Sequence, residues 1–121
     1  MTGCKALLSH FQPMSGGSVS FGNNAKGYIV GSGIVVNGNI NFHDVHLVEN
    51  LKFNLLSVSQ LADKNLCSFF NKDICKILSP KILPQINDLI SKHTLLSAHR
   101  SGNVYVVDMA NNKVWLPPLA F

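Results

Sequence analysis

The stretch that decides the fold reads KGYIVGSGIVVNGNINFHDVHLV and spans residues 26–48. Its first half is rich in Val and Ile, and in its second half Ile40 and Phe42 alternate with polar residues, which is typical of β-strands. Asn37 and Gly38 lie between the halves and form a strong signal for a two-residue turn. The stretch therefore predicts two strands that follow each other through a tight turn.

The segment upstream of this stretch predicts a partner strand. Polar and apolar residues alternate over 18–21, and Gly22-Asn23-Asn24 offers a turn. Residues 18–36 therefore predict a glycine-rich hairpin. Residues 1–17 end in turn formers, so we interpret them as a lead-in to this hairpin.

Downstream of residue 54 the apolar spacing becomes helical. Asn54 can cap a helix whose apolar residues fall on one face, and such a face normally packs against a core. These residues are Leu55, Val58, Leu61 and Ala62. A second short helix is predicted around residues 86–90, after Pro80 and Pro84, and it ends before Leu95.

Two further hairpins are predicted. Leu66–Phe70 and Ile74–Leu78 flank the turn Asn71–Asp73. The residues expected to share one face of this hairpin, with both thiols in the core, are Cys67, Phe69, Cys75 and Ile77. Residues 95–99 and 104–109 flank the last turn, at 100–103.

The bulk composition favours one globular, mostly β domain. The chain has 121 residues, of which 46% are hydrophobic and 13% are charged, and this is enough apolar surface for one core. The net charge of +4 comes from scattered Lys and Arg residues, so we expect no direct binding of nucleic acid. Three cysteines without a Cys-x-x-Cys pair, and no signal peptide, favour an intracellular, cytoplasmic protein. No apolar run reaches the roughly 20 residues of a membrane span.

An ordered series of motifs runs along the chain. The most specific is Leu51–Leu61, with Asn-Leu-Leu-Ser-Val-Ser-Gln-Leu at its centre, because so long a series rarely arises by chance. The others are Met1–Gly3, Gly17–Asn23, Lys26–Gly27, Gly31–Gly33, Val45–Val48 and Gly102–Asp108. Together they resemble the protease region of plant copia-type retrotransposon Pol polyproteins.

This resemblance implies a fold and a set of functional residues. The fold would be mainly β, a small closed or partly open β-barrel like a retroviral-type aspartic protease, with one or two short helices, over residues 18–109. A homodimer is expected because such enzymes dimerise, and the tail 110–121 would lead towards a pre-integrase region. A glycine-containing hairpin would act as a flap, so the predicted peptide-binding residues are Phe21, Gly22, Tyr28, Gly31 and Gly33.

The catalytic motif is the main departure from that family. There, Asp-Ser-Gly-Cys-Ser-x-His runs into Met-Thr-Gly, whereas this sequence begins at Met1. The chemistry needs two carboxylates that share one proton. None of the acids present is followed by Ser/Thr-Gly; they are Asp44, Glu49, Asp63, Asp73, Asp88 and Asp108. We therefore predict no catalytic residue and interpret the chain as a catalytically inactive, protease-like remnant of a retrotransposon polyprotein.

Two other hypotheses stay open. One is that the sequence is an N-terminally truncated fragment of an active aspartic endopeptidase, which an in-frame Asp-Ser-Gly in the coding DNA upstream of Met1 would establish. The other is a peptide-binding module that retains the groove and holds extended peptides or polyprotein segments by strand addition beside residues 18–36.

No metal or cofactor site is predicted. His43 and His46 point to opposite faces of a strand, and no Cys-x-x-Cys completes the four ligands of a structural zinc site. A nucleophile at Cys4 or Cys67, paired with a histidine, is a further hypothesis. Free cysteines are more often buried and structural, and we favour that interpretation.

Overall fold

The computed structural model describes residues 1–22 and 24–110. This part of the chain is mainly β and divides into two compact units, Met1–Leu56 and a second that begins at Ser57. Its α-helices are α1 (Val58–Asp63) and α2 (Leu83–His93), and short 3-10 turns cover Lys5–Leu7 and Pro80–Ile82. Its strands are β1 (Ser9–Pro13), β2 (Ser18–Ser20), β3 (Lys26–Asn37), β4 (Ile40–Val48), β5 (Cys67–Phe70), β6 (Cys75–Leu78), β7 (His99–Ser101) and β8 (Val104–Val106).

Strand β3 is the centre of the first unit. It pairs antiparallel with β4 on one side, where Gly33 lies opposite Val45, and with both β2 and β1 on the other. Asn37 lies opposite Ile40, so the predicted tight turn forms one residue later than expected, with Gly38 and Asn39 between the strands. The strands β5–β8 pair as separate hairpins, so within the described residues no closed barrel forms.

The N-terminal residues are built into this first unit. Thr2 bridges to β4 at Leu47 in the parallel sense and to Asn54 in the antiparallel sense. Its backbone N–H donates to the His46 carbonyl oxygen at 2.9 Å, and its carbonyl accepts from the Val48 N–H at 2.9 Å. The segment predicted as a lead-in therefore supplies β1 on one side of β3 and a strand-like piece beside β4. The predicted domain limits, 18–109, stay a prediction.

A small apolar core holds this unit together. Ile29, Val48 and Leu51 are buried in one cluster, and Val19 and Phe21 pack against it. Val48 is only 1% exposed. Because the buried cluster is small, truncation of any one of its side chains should strongly destabilise this unit.

The helix predicted after residue 54 forms, but it begins later. Ser57 is its N-cap and accepts a hydrogen bond from the Gln60 N–H at 3.4 Å. Asn54 does not cap it, because that residue is engaged in the bridge to Thr2. Leu61 is 4% exposed, whereas Leu55 and Val58 are each 39% exposed, so only part of the predicted apolar face is buried.

The hairpin of β5 and β6 forms as predicted, but the predicted shared face is wrong. Phe70 lies opposite Cys75 and Cys67 opposite Leu78, so Cys67 and Cys75 project from opposite faces. The sequence predicts a turn of three residues, whereas four residues separate Phe70 from Cys75. A shift of one residue moves every side chain of one strand to the opposite face of the hairpin. Cys75 is exposed and Cys67 is half-buried, so the prediction of two core thiols is also wrong.

Of the remaining elements of the second unit, α2 and β8 form where predicted, whereas β7 lies later in the chain than predicted. It covers His99–Ser101, so Arg100 and Ser101 pair with β8 instead of forming the predicted turn. Helix α2 ends at His93, before Leu95, and Pro84 lies in its first turn, where its missing N–H costs nothing. Strands β7 and β8 flank a turn in which Gly102 has a φ of 62°. Of the predicted tail, residues 111–121 lie outside the described residues. None of the helices in the described part of the chain has the length and apolar character needed to cross a bilayer.

Candidate functional site

An open groove of about 480 Å³ lies in the first unit, between the β2–β3 turn and the segment that follows β4. Its lining is mostly apolar, and Phe53 at this groove is 70% exposed. The residues that line it are Phe21, Gly22, Ala25, Asn50, Leu51, Lys52, Phe53 and Leu55. A concave, apolar surface with few polar groups is the usual form of a ligand site.

The first wall of the groove is the β2–β3 turn. The Phe21 N–H donates to the Ala25 carbonyl at 3.0 Å, and the Ala25 N–H donates to the Gly22 carbonyl at 2.9 Å. Gly22 and Asn24 have φ values of 60° and 59°, in the left-handed region that Gly and Asn tolerate best. The local sequence therefore fixes this turn at the mouth of the groove.

The second wall is residues 50–55, which long-range hydrogen bonds hold in place. The Thr2 hydroxyl donates to Asn54 Oδ1 at 2.6 Å and accepts from the Cys4 N–H at 3.1 Å. The Leu55 N–H donates to the Met1 carbonyl at 2.9 Å. Thr2 is 2% exposed, so its own hydrogen bonds are partly shielded from water and tie the N-terminal residues to this wall.

The five predicted binding residues do not come together. Phe21 and Gly22 line the groove, as a binding role would require. Tyr28 is 64% exposed, whereas Gly31 and Gly33 are buried in β3 beneath β1. A Cβ at Gly31 would collide with the Phe11 ring, so this glycine makes room for an aromatic side chain instead of giving the hairpin freedom to move. The binding role of the five residues stays a prediction.

Sequence reasoning missed the wall formed by residues 50–55. It assigned Leu55 to a helical face and gave no role to Lys52 or Phe53. The available signal was Asn50, which lies two residues after the end of β4 and has a φ of 66°, as expected where the chain turns sharply. The bridge from Asn54 to Thr2 joins residues 52 apart in sequence, and no local pattern indicates it.

The acidic residues are dispersed. Asp63 pairs with Arg100 at 2.6 Å, and this charge-assisted hydrogen bond lowers the pKa of Asp63. A general acid of an aspartic protease needs a carboxyl that keeps its proton, so the shift is in the wrong direction for that role. Asp44, with a φ of 54°, lies in an irregular stretch of the β3–β4 ladder and is exposed.

No metal-binding group is found among residues 1–22 and 24–110, where no three His, Cys, Asp or Glu side chains gather. Cys4 and Cys75 are exposed free thiols, so the prediction of buried structural cysteines is wrong for both.

A family model described as Pol polyprotein, beta-barrel domain, matches residues 1–66, which is more than half of the chain. The chain belongs to this Pol beta-barrel family. The match covers the whole first unit, including both walls of the groove, and continues through α1. No curated protein and no solved structure was found to match the chain significantly.

Proposed function

We propose that this Pol beta-barrel domain is a protease-like module of a copia-type retrotransposon polyprotein, and that residues 1–121 do not themselves cleave peptide bonds. The family match supports the polyprotein origin. The observation that carries the absence of activity is that none of the six acids is followed by Ser/Thr-Gly. Without that turn no carboxylate is aimed at a shared site, whether in one chain or in a dimer.

Purified residues 1–121 should not hydrolyse a peptide that spans a Pol polyprotein processing junction, at any pH from acidic to neutral. The physical reason is the missing pair of carboxylates, since nothing else in the chain would deprotonate the attacking water. The measurement is product formation by mass spectrometry, with and without a transition-state analogue of aspartic proteases.

The control for this assay is a chain extended upstream with Asp-Ser-Gly-Cys-Ser-x-His, which tests whether the sequence is a fragment of an active endopeptidase. Cleavage by the extended chain alone would agree with the proposal and support that alternative. Analogue-sensitive cleavage by residues 1–121, lost in Asp44→Asn or Asp108→Asn, would overturn the proposal.

A second function, peptide binding, is favoured by the groove. Its two walls are the β2–β3 turn and residues 50–55, and no hydrogen bond between described residues joins them. An extended peptide entering between them would meet apolar side chains and main-chain groups together, which is how strand addition works. The outer edge of β2 has no partner strand among the described residues, which offers a second row of main-chain groups nearby.

Titration with the neutral peptide acetyl-Ser-Leu-Val-Gln-Val-Leu-Ser-amide should shift the amide NMR signals of residues 18–25 and 50–55. The Phe53→Ala variant should bind more weakly because it removes an exposed apolar wall. A matched control is Phe70→Ala, which removes a ring 57% exposed that is not among the lining residues. If the signals of residues 18–36 did not move, peptide binding at this site would be abandoned.

A further inference from the structure

The groove carries an uneven distribution of charge. Among its described lining residues, Lys52 alone has a formal charge, and the others are apolar residues, Gly22 and Asn50. Lys52 is exposed, so its ammonium group is hydrated and free to meet a ligand.

The charged residues next to the lining residues in sequence are opposite in sign, so Lys52 determines the sign of the charge in the groove. Lys26 follows the lining residue Ala25, and Glu49 precedes Asn50, so these two flanking charges oppose each other. Over the whole first unit, Lys5, Lys26 and Lys52 outnumber Asp44 and Glu49. The charge that the described lining itself presents to a ligand is therefore the positive charge of Lys52.

We propose that Lys52 makes the groove selective for extended apolar segments that carry a carboxylate side chain. This inference rests on the peptide-binding function proposed above and adds the chemistry of the ligand. The apolar wall residues Phe21 and Phe53 bury the aliphatic side chains of the segment, and the Lys52 ammonium pairs with its carboxylate. Charge complementarity of this kind selects among partners more than it raises affinity.

Three peptides with one apolar frame test the selectivity: acetyl-Ser-Leu-Val-Xaa-Val-Leu-Ser-amide with Glu, Gln or Lys at Xaa. Binding to residues 1–121 is measured by isothermal titration calorimetry at low ionic strength. An exposed ion pair favours the Glu peptide over the Gln peptide by about two- to fivefold, and the Lys peptide binds most weakly. The preference falls towards unity at about 1 M salt, where the Debye length is only about 3 Å.

Lys52→Glu should reverse this order, so that the Lys peptide binds best, and Lys52→Gln should abolish it. The matched control is Lys72→Glu, the same change of charge in the exposed β5–β6 turn, outside the groove lining. It should leave the order unchanged, because the inference concerns a contact and not the net charge of the protein.

The outcomes distinguish the Lys52 inference from the peptide-binding function on which it rests. If all three peptides bind equally, or if Lys72→Glu changes the order as much as Lys52→Glu does, the Lys52 inference is overturned while peptide binding stands. If none of the peptides binds, the peptide-binding function fails, and the inference fails with it. Reversal confined to Lys52→Glu supports both.

Discussion

Gly27→Ala is expected to lower the free energy of unfolding by about 3 kcal/mol, because overpacking of a close-packed site forces the backbone to move. A Cβ at this position would collide with the Glu49 carbonyl oxygen and would lie 2.6 Å from Val48 Cγ1 and 2.9 Å from the Phe21 ring. The carbonyl belongs to the main chain and cannot rotate away as a flexible side chain could. Urea unfolding followed by circular dichroism gives the difference.

Gly38→Ala is the control for this substitution. Gly38 has a φ of 31°, and a Cβ there would meet no atom within 4 Å. The control therefore reports only the backbone cost of alanine in the left-handed region, about 1 kcal/mol. Equal midpoints for the two variants would contradict the close approach of Glu49 and Phe21 to β3.

Leu51→Ala is the second substitution with a large expected effect. We expect it to lower the free energy of unfolding by about 3 kcal/mol, because buried methyl groups are removed and a cavity is left behind. Leu51 is 6% exposed and lies in the core cluster with Ile29 and Val48. So small a cluster has few neighbours that can close the cavity. Chemical denaturation measures the change.

Leu56→Ala removes the same atoms from a residue that is 58% exposed and should change stability by less than about 0.5 kcal/mol. A loss at Leu56 as large as that at Leu51 would show that the first unit buries different residues from those described.

The central hairpin was predictable because its information is local. The alternation over 40–43 and the turn signal at Asn37-Gly38 indicate β3, β4 and a tight connection from local sequence alone, although the turn forms one residue later, at Gly38-Asn39. Strand β1 was missed because it ends in Pro13 and contains an irregular pairing at His10, which has a φ of 51°. These features interrupt the alternation of side chains from which a strand is predicted.

Half of the candidate site could be predicted for the same reason. Phe21 and Gly22 belong to a turn that its own sequence defines. The opposite wall takes its position from the Thr2–Asn54 bridge and from the burial of Leu51, and both arise from tertiary packing. The predicted shared face of β5 and β6 was wrong because the turn between them is one residue longer than expected. The pattern of apolar residues does not determine the length of a turn.

The bridge between Thr2 and Asn54 also orders the events of synthesis on the ribosome. The acceptor of the Thr2 hydroxyl, Asn54, is translated 52 residues after Thr2. The β3–β4 hairpin, whose partners are close in sequence, has everything it needs before Asn54 has been translated. Since long loops close more slowly than short ones, Thr2 takes its place in the first unit after the hairpin has formed, and the edge of β4 that it covers stays open in the nascent chain until then.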